Sequence, residues 1–266
     1  MIKAVFFDID GTLRDFTEKG IRPGTRLAIR LAREHGLRCL IATGRHLLEI
    51  EEENLLDGLA FDGYILLNGS LCLDDHLSLL YENPIPVSQI QAMLAFQREL
   101  GFSLLFMEKN ALYVSHITAQ LAKLQAQIGT AIPPVEPRME RGLTNPVYQM
   151  SPFSDELTSD VLAARLPLCD ITRWHDGGAF DITPKGGSKK LGIQKVMEHY
   201  GYSRDEIAAV GDGYNDIPMI RYAGIGIAMG NGNEQVKAAA DYVTDSIEQD
   251  GLLHAVEYLL HLTISG

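Results

Sequence analysis

The sequence predicts an α/β fold: a doubly wound, Rossmann-like parallel sheet interrupted by an inserted α+β segment. Three observations carry this expectation. Short apolar runs alternate with helical segments at the beginning and end of the chain, the pattern of a parallel sheet covered on both faces. The alternation breaks in the middle, after Pro84 and Pro86. Clusters of Asp, Gly and Thr follow several of the apolar runs, where strands should end.

Taken in order, residues 2–7 (IKAVFF) form a compact β-rich run. A helix follows over residues 23–36. Pro23 stands near its start, Leu27, Ala28 and Leu31 make its apolar side, and Gly36 ends it. Residues 37–43 (LRCLIAT) read as a second strand and residues 45–56 as a second helix. The runs GYILLNG, EIAAVGDG and GIGIAMG read as further strands, the last closing the sheet.

The middle has its own pattern. Residues 87–100 are helical, with Val87, Ile90 and Leu94 marking the period. FSLLFM and ALYVS pair around Lys109-Asn110, and a helical stretch (residues 117–129) leads to a loop with Pro133, Pro134 and Pro137. Strand-like PVYQMS and a helical stretch over residues 154–166 follow. Residues 170–176 and 178–184 then read as a hairpin turning at Asp176-Gly177-Gly178. Residues 84–183 are thus expected to be a separate unit inserted into a wound part made of residues 1–83 and 184–266.

At 266 residues the chain can bury a real core. Its formal net charge of -12 argues against nucleic acid or an anionic membrane as the main partner. The three cysteines, Cys39, Cys72 and Cys169, show no CxxC spacing and fit a reducing compartment. The first apolar run stops at Asp8, and no other approaches the length of a membrane span, so the expected location is the cytoplasm. The eight histidines show no metal-ligand spacing. His46 is expected at the surface, with an edge of the site as the alternative. Trp174 and His175 fall near the hairpin tip, where packing is the ordinary role of a lone Trp. The oligomeric state is left open.

Four polar clusters line up in the wound part: Asp8-Ile9-Asp10-Gly11-Thr12, Thr43-Gly44-Arg45, Lys189 early in a helix, and Gly211-Asp212-Gly213-Tyr214-Asn215-Asp216. Each alone reads as a turn, a helix start or a surface charge. Together and in this order they point to one site beyond the carboxyl ends of the strands.

FFDIDGTL, IATGR, the GGSK stretch and GDGYND resemble the four motifs of the haloacid dehalogenase superfamily of phosphatases and phosphotransferases. The insert of about a hundred residues before the lysine, and the pair Asn68-Gly69, resemble the Cof-like branch with its large type IIB cap. Lys190 stands where a small residue is more usual, and Arg14 follows DGTL directly. Lys189 fits the motif spacing, with Lys185 and Lys190 nearby.

The resemblance implies a Mg²⁺-dependent phosphatase of small phosphorylated metabolites, either sugar phosphates or phosphorylated cofactors. Asp8 is then the nucleophile, and its reference pKa of about 3.9 would leave it ionised at neutral pH. Asp8 and Asp212 supply carboxylate oxygens to the metal, and Asp10 its backbone carbonyl. The Asp10 side chain serves as general acid and then base. Thr43, Gly44, Lys189 and Asn215 hold the phosphate, and Asp216 steadies a metal-bound water or the lysine. Two other readings stand beside this one: a phosphomutase passing the group to another sugar hydroxyl, and an inactive regulator that binds a phosphorylated ligand.

Overall fold

The computed structural model describes residues 1–15, 20–174 and 177–264. The chain opens with β1 (Ala4–Phe7), α1 (Pro23–Glu34), β2 (Arg38–Ala42), α2 (Leu47–Glu52), β3 (Gly63–Leu66), β4 (Leu71–Asp74) and β5 (Leu79–Glu82). Its middle holds α3 (Val87–Leu100), β6 (Ser103–Glu108), β7 (Ala111–Val114), α4 (Ala119–Ile128), β8 (Val147–Phe153), α5 (Ser159–Arg165), β9 (Cys169–Arg173) and β10 (Phe180–Pro184). It ends with α6 (Lys189–Tyr200), β11 (Ile207–Gly211), α7 (Ile217–Tyr222), β12 (Ile225–Ala228), α8 (Glu234–Lys237), β13 (Tyr242–Val243) and α9 (Gly251–Ile264). No helix among the described residues is long and apolar enough to cross a membrane.

Two compact units result. One comprises Met1–Arg45, Ile50–Tyr81 and Ser188–Gly266; the other comprises His46–Glu49 and Glu82–Gly187.

The first unit is built on an eight-stranded sheet in the order β13-β12-β11-β1-β2-β3-β4-β5. The ladders from β13 to β3 are parallel. Ala4, Phe6, Leu40 and Ala42 pack with Ile193, Val196, Met219, Ile220 and Val236 of α6, α7 and α8. The intervening Val5, Phe7, Cys39 and Ile41 point the other way by the pleat and are also fully buried. The wound parallel sheet is therefore as the sequence predicts.

Two features go beyond that expectation. The strand β4 runs antiparallel to β3, with Ile65 opposite Cys72, and β5 adds the outer edge. The turn between β4 and β5 is held by the Asp74 carboxylate, which accepts from the His76 and Ser78 N–H groups. In addition GIGIAMG does not close the sheet, because β13 pairs beyond it.

The second unit is a five-stranded sheet in the order β7-β6-β8-β10-β9, with antiparallel ladders throughout. Leu104, Phe106, Met150, Phe180 and Ile182 on one sheet face pack with Ile90, Met93, Leu94 and Phe96 of α3 and with Leu162 of α5. Full burial of each such side chain contributes about 1.5–3 kcal/mol relative to exposure. The helix α5 is shorter than expected because Thr158 caps it, accepting from the Val161 N–H. Asp176 and His175, expected in the turn between β9 and β10, lie outside the described residues.

His46 corrects a sequence expectation, since it is fully buried rather than superficial. Its Nε2–H donates to the Glu108 carbonyl while Nδ1 accepts from the Leu48 N–H. Burial lowers its pKa, so the ring is a neutral, fully bonded anchor for the start of α2. The Glu108 side chain is itself held by Arg141, Tyr113 and Asn145.

Candidate active site

The sheet order brings the motifs together. The strand β1 lies between β11 and β2, with Phe7 level with both Val210 and Ile41. The residues just past those positions, around Asp8, Asp212 and Thr43, therefore emerge side by side at the carboxyl edge. The chain turns sharply after Asp8. The Ile9 carbonyl accepts from the N–H groups of Thr12, Leu13 and Arg14, so the extended geometry of β1 does not continue to Asp10.

Lys189 completes the cluster from the first turn of α6. Its Nζ lies 2.7 Å from Asp8 Oδ1 and 2.6 Å from Asp216 Oδ1, and its side chain is wholly enclosed. Two local features place it. Ser188 caps the helix by accepting from the Leu191 N–H, and Gly69, at φ +91, lies where any Cβ would overlap the Ser188 carbonyl. The neighbouring lysines go elsewhere: Lys185 reaches the Pro167 carbonyl, and Lys190 sits over the Tyr222 ring.

Asp216 organises the loop after β11. One oxygen takes the lysine, and the other accepts from the N–H groups of Asp212 (3.0 Å) and Gly213 (2.8 Å). The Thr12 hydroxyl donates to Asp212 Oδ1 at 3.2 Å. Asn231, in the loop after β12, donates to the Gly11 carbonyl at 2.8 Å, and its own oxygen accepts from the Ile247 N–H. The sequence reading missed Asn231. An Asn between two glycines just past a strand was its signal.

Gly11 adopts φ +83, and a Cβ there would fall on the Asp212 carboxylate. We expect Gly11→Ala to cost about 1–2 kcal/mol through the left-handed backbone, with a further loss from displacing Asp212. Urea unfolding of the two proteins checks this, and an unchanged midpoint would contradict it.

Asp10 pairs with a different cation from Asp8. Arg45 grips it with Nε to Oδ2 at 2.7 Å and a second guanidinium nitrogen to Oδ1 at 3.0 Å. The Arg45 N–H donates to the Thr43 hydroxyl at 3.1 Å, which leaves the Thr43 O–H hydrogen free to turn elsewhere. The Thr43 carbonyl accepts from the Asn68 N–H, and the exposed Asn215 side chain donates to Asn68 Oδ1 at 3.0 Å. Gly44 also sits in this corner, with a Cβ position beside the Asn68 amide. The structure thus brings Asp8, Lys189, Asp212 and Asp216 into one cluster, and Asp10, Thr43, Gly44 and Asn215 into the adjoining corner.

The electrostatics correct one expectation. Asp8 does not keep its reference pKa: burial pushes it well above the carboxylate range, Lys189 opposes that, and the neighbouring aspartates add to it. Burial and Asp216 push Asp212 up to about 7 against the pull of Lys189. Lys189 is the reverse case. Burial disfavours its charge, but Asp216 and Asp8 more than offset this, so it is held as the cation. Three carboxylates thus share one ammonium and are short of positive charge.

A divalent cation would supply what is missing. One oxygen from each of Asp8, Asp212 and Asp216 lies within 4.8 Å of the others. An all-oxygen donor set of this kind suits a hard ion such as Mg²⁺. These residues fit such an ion in charge and in donor type.

A family model described as haloacid dehalogenase-like hydrolase matches residues 5–256. The pyridoxal phosphate phosphatase YbhA of Escherichia coli K12 is 30% identical over 267 residues, covering 93% of this chain and 96% of that protein. Among solved structures, the HAD subclass IIB sugar phosphatase BT4131 superposes with a TM-score of 0.83 at 36% identity, over 97% of this chain and 98% of its own. BT1666, a HAD-superfamily phosphatase of Bacteroides thetaiotaomicron, superposes with a TM-score of 0.86 at 31% identity, over 97% of this chain and 95% of its own.

Proposed function

The chain belongs to the haloacid dehalogenase-like hydrolase family and is a phosphatase, and from that premise we propose that it hydrolyses small phosphate monoesters through an aspartyl-phosphate at Asp8, with Mg²⁺ bound. The observation that carries this reading is the enclosed Asp8 carboxylate, held on one oxygen by Lys189. Its other oxygen is available to the phosphorus.

In the first step an Asp8 oxygen bonds to phosphorus as the bond to the alcohol oxygen breaks, and the Asp10 side chain gives that oxygen a proton. In the second, Asp10 takes a proton from water as the water oxygen bonds to phosphorus and the Asp8–phosphorus bond breaks. Each such proton transfer is typically worth roughly 10²–10⁴ in rate. The Thr43 hydroxyl, the Gly44 N–H, Lys189 and Asn215 hold the phosphate oxygens. Asp216 keeps the lysine and the Asp212 loop in place. Asp8, Asp212 and the Asp10 carbonyl would hold Mg²⁺, which when bound offsets the repulsion between a carboxylate and a phosphate dianion.

Of the proteins named above, YbhA is a pyridoxal phosphate phosphatase and BT4131 a sugar phosphatase. That supports a sugar phosphate or a phosphorylated cofactor as substrate, with residues 84–183 discriminating among them. The test is release of inorganic phosphate from a panel of such esters. Release should require Mg²⁺, stop with EDTA and return when Mg²⁺ is added back. Binding should also raise the melting temperature, because Mg²⁺ at about 100 times its Kd stabilises by ~2.7 kcal/mol. Release that is indifferent to EDTA, or none from any ester, would overturn the reading.

A further inference from the structure

The grip of Arg45 on Asp10 has no part in the reading above, and at 2.7 Å it is much closer than the 3.9 Å approach of Arg14 to the same carboxylate. We propose that Arg45 is the positioning residue for Asp10, fixing the plane of its carboxylate so that it can pass a proton to the leaving alcohol. This rests on the assignment of Asp10 as the proton-transfer group.

Geometry carries the argument. Asp10 lies just past the bend at Ile9, beyond the ladder of β1, so strand pairing does not set its side chain. A carboxylate there can turn about two side-chain bonds. A planar guanidinium meeting both oxygens, at 2.7 and 3.0 Å, removes that freedom in a way a point charge cannot. Each oxygen keeps a second lone pair, so the fork leaves room for the transferred proton.

Arg45 is itself fixed. Its side chain is largely buried, its N–H donates to Thr43, and its carbonyl accepts from the Leu67 N–H at 3.2 Å. Both the carboxylate and the phosphate-holding threonine are thereby referred to one residue. Arg14 does not share the task. It stands 3.9 Å from Asp10 Oδ1, and the same nitrogen is buried without a hydrogen bond among the described residues. It supplies charge but no fork.

The test compares two leaving groups. An alkoxide needs a proton as it departs, whereas p-nitrophenolate is stable without one. Arg45→Ala should lower kcat on the best alkyl phosphate of the panel by about 10²-fold, and on p-nitrophenyl phosphate by only about 10-fold or less, with little change in KM. Arg45→Lys should recover only part of the loss, and free guanidinium ion should partly rescue Arg45→Ala. Thermal melting identifies which variants are folded. Adding Arg45→Ala to Asp10→Asn should cost little more than Asp10→Asn alone, because Arg45 acts through Asp10.

Equal losses on both esters, a raised KM, or full additivity with Asp10→Asn would overturn the inference while leaving the role of Asp10 intact. If Asp10→Asn itself costs no more on the alkyl ester than on the aryl ester, the assignment of Asp10 fails, and this inference with it.

Discussion

An Asp8→Asn protein is expected to fold and to release almost no phosphate. Loss of a covalent nucleophile acts on the scale of about 10⁴-fold or more in turnover. The fold should survive because the substitution keeps the shape and retains an oxygen for Lys189, which still holds Asp216. Burial already disfavours the charged form of Asp8, so a neutral amide removes a cost. The metal-free variant should therefore melt no lower than the parent. Phosphate release and thermal melting, measured on the same sample, check both halves. Turnover within tenfold of the parent would place the nucleophile elsewhere.

Lys189→Met is expected to lose both activity and stability. The side chain is enclosed among Asp8, Asp212 and Asp216, and methionine fills a similar volume without the charge. Removing one partner of a buried ion pair typically costs about 3–5 kcal/mol, because the other charge is left unpaired. The sign of the pH dependence follows from the directions of the shifts. The pKa of Lys189 is raised by folding, so its contribution is fully present at every pH below the unfolded lysine value of about 10.4. In the variant Asp8 and Asp212 lose the lowering pull of Lys189, so their already raised pKa values rise further. Protonation as pH falls then relieves the repulsion. The deficit against the parent should be large at pH 8 and smaller at pH 5, read by urea unfolding of metal-free protein. An equal deficit at both values would mean that packing, not charge, explains the loss.

What was legible in the sequence follows from how local each signal is. Asp8, Thr43 and Asp212 each come directly after a short apolar run, and the alternation of runs and helices implies one sheet edge for all three. Lys189 is less local a signal, because the choice among Lys185, Lys189 and Lys190 is made by the start of α6 resting on Gly69, far away in sequence. The pairing of Asp10 with Arg45 spans 35 residues and depends on the register of β1 against β2.

His46 was misread for the same kind of reason. Its partner is a carbonyl of β6, 62 residues on, and nothing near it in sequence hints at burial. The strands β4 and β5 are four residues each, with acids between them, and form a hairpin only because β3 offers an edge. The upward shift of the Asp8 pKa could not be read from composition at all. A reference pKa describes a solvated carboxylate, and this one is enclosed among other acids.

The central claim is a covalent bond between Asp8 and phosphorus. The direct test is to mix the protein with Mg²⁺ and a turned-over phosphate ester, quench in acid within one turnover, and map the phosphorylated peptide by mass spectrometry. The account predicts one phosphoryl group, on Asp8, that disappears as inorganic phosphate forms. Phosphate released at the full rate with no label on Asp8, or a label on another residue, would contradict it.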